Sequence, residues 1–142
     1  MKPEFEKIAE FPQRSFSAKK VVRDSRPHLH QAWHYHPEIE ICFTEKSNGK
    51  RFVGNNISNY TEGDLVLFGS NLPHGFTTPI HCEQYVIQLN SDFLGTDFFH
   101  KPELHSILAM LNRAKRGLQF SGRTNRRAHR KIMSLLEAEG LP

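Results

Sequence analysis

The hydrophobic period of this chain changes near residue 90, and that change limits what the chain can fold into. Before it, apolar and polar residues alternate in short runs bounded by turn residues. In 38-EIEICFTE-45, Ile39, Ile41 and Phe43 fall on one side, and Glu38, Glu40, Cys42 and Thr44 on the other. That is the period of a strand. The residues 47-SNG-49 then lead into 50-KRFVG-54, which reads as a hairpin with Gly at the turn. A second turn, 61-TEGD-64, enters the run 64-DLVLF-68; 69-GSNLPHG-75 reads as a loop and 83-EQYVIQL-89 as a late strand. Short strands at this spacing predict a sandwich or barrel. After residue 90 the period becomes helical. Ser91 fits the N-cap of a short turn at 92–94. Leu104, Ile107, Leu108 and Leu111 then stand at i, i+3, i+4 and i+7, predicting an amphipathic helix over 103–116, with Pro102 before it and Gly117 as its stop. A second helix is expected from Thr124 to Glu139, with Ala128, Ile132, Leu135 and Leu136 on one face and Gly140 as its stop.

A length of 142 residues suits one domain, and 11 Phe in a composition 37% hydrophobic supply a core. Cys42 and Cys82 make neither a disulfide framework nor a CxxC pair, which fits a reducing, cytoplasmic setting. No apolar run approaches the roughly 20 residues of a membrane span. The acidic start MKPEFE has no signal-peptide character. The net charge of +4 is densest over 113–131. That stretch lacks interleaved aromatics and a recognition helix, so it reads as a solvated helical face rather than a direct DNA contact.

The chemistry gathers at 34-HYHPEIE-40. His34, His36, Glu38 and Glu40 share parity, so an extended backbone turns all four to one face. Pro37 fits a bulged strand entry. Two imidazoles and a carboxylate in reach of one point suit Fe, Mn, Zn or Ni, and His74 is the candidate for a fourth ligand from another strand. Water or a ligand's hydroxyls are the alternative partners for these groups. Cys42 has the parity of Glu40 and reads as a small inward packer, with lining the same cavity as the alternative; Trp33 has the opposite parity to His34 and reads as packing. His28 and His30 repeat the HxH pattern without a carboxylate at strand spacing, and His81, His100, His105 and His129 read as surface residues.

On these residues the chain resembles the cupin superfamily, whose motifs run Gly-x5-His-x-His-x3,4-Glu-x6-Gly and Gly-x5-Pro-x-Gly-x2-His-x3-Asn. The resemblance implies a metal set of His34, His36, Glu40 and His74, with Gly63 opening the second motif. Several positions depart from it: His28 for the first Gly, Gly49 two residues late, Gly69 for Pro, Asn71 for Gly and Thr78 for Asn. The chain is more closely similar to the N-terminal effector domain of AraC-type transcription regulators, through 34-HYHPEIEI-41, 49-GKRFVG-54, 62-EGDLVLFGSNLPH-74, 86-VIQLNSDFLG-95 and 115-KRGLQFSG-122.

This resemblance implies a mainly β fold, a cupin double-stranded β-helix or jelly-roll barrel, followed by two C-terminal α-helices. The barrel would occupy 1–95, and 96–142 would be a helical extension for dimerisation. The helix-turn-helix DNA-binding domain of such regulators has no counterpart here, and the ending Gly140-Leu141-Pro142 predicts a fragment of something longer. The implied function is a sensing and dimerisation domain, without enzymatic activity. It would bind a small effector, a sugar or other polar metabolite, in a pocket of His34, His36, Glu40, Cys42 and His74, with or without a divalent transition metal. It would form a homodimer through Leu104, Ile107, Leu108 and Leu111 and touch DNA only through the missing domain. The alternatives are a small metal-dependent cupin enzyme of dioxygenase or isomerase type, and a metal-independent sugar-binding cupin. The apolar outer side of the strand at 39–45 must in every case be covered, by the N-terminal segment, the helices or a second subunit.

Overall fold

Both faces of the strand at 39–46 are buried, and the fold is arranged around that fact. The structure, a computed structural model, describes residues 2–9, 15–23, 33–77 and 81–138. Its elements are β1 (Glu4–Phe5), β2 (Phe16–Arg23), β3 (His34–Tyr35), β4 (Ile39–Lys46), β5 (Gly49–Val53), β6 (Asn56–Tyr60), β7 (Leu65–Phe68), β8 (His74–Thr77), β9 (Cys82–Leu89), α1 (His105–Arg113), β10 (Leu118–Phe120) and α2 (Arg123–Glu137). They form two five-stranded sheets, ordered β1-β3-β8-β5-β6 and β10-β7-β4-β9-β2. The inner faces meet in a core of Cys42, Tyr60, Val66, Phe68, Leu72, Phe76 and Val86. This is the expected mainly β class, two packed sheets followed by two C-terminal helices.

The outer face of the second sheet is covered by the helices. Phe43, Leu65, Tyr85 and Ile87 pack with Ile132, Ala128, Leu135 and Leu136 of α2. Ile39 and Leu67 pack with Ala114, Met110 and Leu111 around α1. Leu111, expected at a subunit interface, therefore belongs to this internal cluster, whereas Ile107 is exposed. The second helix ends at Glu137, where Ala138 turns extended, before the predicted stop at Gly140, which lies outside the described residues.

The hairpin expected between 38–45 and 50–54 is corrected. β4 pairs with β7 and β9, whereas β5 pairs with β6 and β8, so 47-SNG-49 carries the chain from one sheet to the other. Turn residues look alike in a hairpin and in a corner between packed sheets. Packing decides: a Cβ on Gly49 would lie 2.0 Å from the carbonyl oxygen of Thr77, so this residue starts a strand laid tightly on β8. The hairpin that does form is β5–β6, with Gly54 at φ 54° in the left-handed region beside Asn55. β6 left no clear mark in the sequence because Ile57, its most apolar residue, points to solvent. β10, inside the stretch read as a helical extension, pairs with β7 and stitches that extension into the sheet.

Candidate metal centre

Residues from both sheets meet at one end of the barrel. His34 opens β3, His36 follows it, Glu40 lies on β4, and His74 is the first residue of β8 rather than part of a loop. His34 and His74 are partners in the β3–β8 ladder. The loop between β7 and β8 is seated against the first motif: the Asn71 amide donates to the His36 carbonyl at 2.8 Å, and Ser70 Oγ donates to the Pro37 carbonyl at 2.6 Å. Asn71 has φ 60°. Asn tolerates that left-handed conformation better than most residues, so it can stand where the motif has Gly. Gly69, standing where the motif has Pro, donates its amide to the Ala114 carbonyl, and a Cβ there would lie 2.8 Å from that group.

The three imidazoles each present a ligand atom within 4.8 Å of the others. His36 and His74 are held by their inner nitrogens. Nδ1 of His36 lies 3.1 Å from the Glu38 carbonyl, and Nδ1 of His74 lies 2.8 Å from that of Leu72. A carbonyl only accepts, so each Nδ1 carries the proton and each Nε2 of the neutral ring presents a lone pair. Those Nε2 atoms are buried without a hydrogen-bond partner among the described residues. They face Glu40: His36 Nε2 is 3.4 Å from Oε1, and His74 Nε2 is 3.2 Å from Oε2. Lone pairs aimed at a carboxylate repel unless something positive lies between them, a proton or a cation.

The electrostatics agree. Burial disfavours the Glu40 carboxylate, but His36, His74 and the amide of Gln88 at 2.9 Å outweigh it and hold the group well below the usual carboxylate range. Burial likewise favours a neutral His36 ring, yet the neighbouring Glu40, with Glu6 and Glu38, raises its pKa. His34 is lowered by burial and by His74. Burial pushes the Cys42 thiol well up, with Glu40 adding to it, so Cys42 faces the site as a neutral thiol. The residues present therefore fit a divalent ion: three imidazoles, two with orphaned Nε2 atoms, and one ionised carboxylate.

A cavity of about 400 Å³ opens beside this cluster. His34, Glu40, Cys42 and His74 line it, whereas His36 sits behind them, out of the lining set. Sequence reading missed its other walls. Lys19, Val21 and Arg23 on β2 contribute, as do Gln84 and Gln88 on β9 and Glu4 to Glu6 around β1. FSAKKVVR alternates only over its first four residues; the strand turns Lys20 outside, paired to Glu83, and Lys19 to the cavity. Among the other histidines, His129 is not a free surface residue. It binds Glu45 at 2.8 Å and lies on the Phe43 ring with centroids 4.9 Å apart. His28, His30 and Thr78 lie outside the described residues.

No protein-family profile matches the chain, and no curated protein does. Solved structures do match. A tryptophan-to-phenylalanine variant of oxalate decarboxylase from B. subtilis is 18% identical, with a TM-score of 0.48 over 58% of this chain and 23% of that one. A deletion mutant of the same enzyme is 20% identical, with a TM-score of 0.48 over 71% of this chain and 29% of that one. The EutQ protein of Clostridium difficile is 9% identical, with a TM-score of 0.44 over 54% of this chain and 58% of that one. This chain thus spans less than a third of the decarboxylase chains. Against the expectation that the chain is not an enzyme, solved structures similar to it include those of an enzyme, oxalate decarboxylase. Among the described residues, no helix is long and apolar enough to cross a membrane.

Proposed function

We propose that the chain is a small metal-dependent cupin that takes up a polar, oxygen-bearing small molecule in the barrel and acts on it, as an enzyme of the dioxygenase or isomerase type. The observation that carries this reading is the pair of buried Nε2 atoms on His36 and His74, anchored from behind and aimed with Glu40 at one point. His34, His36, His74 and Glu40 would hold a divalent transition ion, Zn, Ni, Fe or Mn. Such an ion, when bound, supplies Lewis-acid polarisation of a ligand oxygen. The chain's own residues do the rest. Gln88 holds Glu40 in place, Gln84 is tied to the Thr44 hydroxyl at 3.2 Å, and Lys19 and Arg23 bring positive charge to the cavity wall.

The test begins with elemental analysis of tag-free protein beside His36→Ala and His74→Ala. About one ion per chain in the parent and little in the variants supports the centre; equal metal in all three places the ion elsewhere. Metal-loaded protein is then incubated with a pool of small metabolites. A metabolite consumed with a product appearing, and only with intact His74, supports an enzyme. A metabolite merely retained supports sensing.

Sensing is the second reading, as the effector and dimerisation domain of a cytoplasmic AraC-type regulator. One observation favours it: α2 lies on the outer face of β4, the strand whose inner face carries Glu40. Ligand in the barrel and arrangement of the helices would then be linked through one strand. In that reading 1–95 is the barrel, 96–142 the dimerising extension, and DNA is reached through a further domain. Leu108→Glu is the cleaner interface variant, since Leu111 packs internally. A folded monomer in analytical ultracentrifugation, beside a dimeric parent, supports it; a monomeric parent sinks it.

A further inference from the structure

A second carboxylate reaches the imidazoles, and it comes from the N-terminal strand. Glu6 follows β1 directly, and its Oε2 lies 3.3 Å from His34 Nε2. Glu4, Phe5 and Glu6 together line the cavity. Among the described residues, little else holds this segment. β1 is a two-residue parallel pairing with β3, supported by the Glu4 amide to the Trp33 carbonyl at 3.1 Å and the Glu6 amide to the Tyr35 carbonyl at 2.9 Å. Phe5 touches the Tyr35 ring edge-on but stays 59% exposed, so apolar burial contributes little.

The three histidines are held differently. His36 and His74 are fixed by backbone carbonyls at Nδ1, whereas His34 meets a side chain, Glu6, at Nε2. As an ordinary half-exposed ion pair this contact is worth little. Its length has another reading. Neighbouring donors each about 2.1 Å from one five-coordinate ion, at angles of 90–120°, lie about 3.0–3.6 Å apart. The contacts from Glu40 to His36 and His74, at 3.4 and 3.2 Å, have that spacing, and so does Glu6 to His34 at 3.3 Å. Glu6 and Glu40 thus each contact the imidazole cluster, Glu6 just after β1 of one sheet and Glu40 from β4 of the other.

We propose that Glu6 is a further metal ligand, and that a bound divalent ion ties the N-terminal strand across the cavity. This rests on the metal centre proposed above. Zinc alone is the probe, added to the tag-free whole chain. Its affinity is measured by competition with a chromophoric chelator, and amide hydrogen exchange is followed over residues 2–9. In the wild type, zinc should slow exchange over that segment. In Glu6→Gln, affinity should fall about tenfold or more, the size of effect seen when a group supporting a metal site is lost, and the slowing should vanish. Glu62→Gln, the loss of an exposed carboxylate outside the cavity lining, should behave as wild type. Unchanged affinity in Glu6→Gln, or slowing that persists in it, overturns the assignment while the centre stands. A wild type that takes up no zinc overturns the centre itself, and Glu6 with it.

Discussion

β4 has two faces that are both largely dry and held in opposite ways. The outer face presents Ile39, Ile41 and Phe43 to the helices and to neighbouring strands. The inner face presents Glu40, Cys42 and Thr44, all buried, two of them bonded to named partners, Gln88 and Gln84. Apolar contact is non-directional and scales with area, so the outer face is held by volume. Buried polar groups need particular partners in particular geometry, so the inner face is held by pairing. A strand that is packed from outside can carry a polar site inside, because its position does not depend on the site.

Ile132→Ala attacks the outer face and should have the largest effect. Removing a buried aliphatic side chain costs about 2–5 kcal/mol, read from urea unfolding, with metal uptake by the remaining folded protein unchanged. A loss below about 0.5 kcal/mol, the level of a neutral surface change, would mean that α2 is not docked on the sheet. On the inner face, a divalent ion at 100 times its Kd should stabilise the parent by about 2.7 kcal/mol and His74→Ala not at all. Equal stabilisation of both would remove the ion from this site.

Gln88→Leu should cost about 1.5–3 kcal/mol, the range for a hydrogen bond to a charged group. It leaves Glu40 Oε1 without its amide. If the variant is as stable as the parent, pairing is not what holds the inner face. His129→Ala is the smallest: its contact with Glu45 is about one-third exposed on both sides, at 34% and 33%. A loss of at most about 1 kcal/mol is expected, again by denaturant unfolding. A loss matching Ile132→Ala would show that α2 is fastened by this pair rather than by its apolar face.

What the sequence determined by itself is what depends on near neighbours. The parity of residues 38–45 set which side chains of β4 share a face; the meeting of His34 and His36 with Glu40 did not follow from parity, because the chain passes from one sheet to the other between Tyr35 and Ile39. The helical spacing of Ala128, Ile132, Leu135 and Leu136 set the face of α2 that packs, and Gly117 marked the end of the helical run, at φ 80°. What only the tertiary structure decided depends on residues far apart in the chain. The partition of β4 and β5 between two sheets is one such fact, since a corner and a hairpin use the same turn residues. The covering of Ile41 and Phe43 by α2 is another, as is the β10 strand paired to β7. The reach of Glu6 to His34 is the clearest case: 28 positions lie between β1 and β3, and no local pattern relates the two. Side-chain direction follows from backbone period, which is local; which strands pair, and which carboxylate meets which imidazole, follows from chain closure over long loops, and only the folded packing of the two sheets selects it.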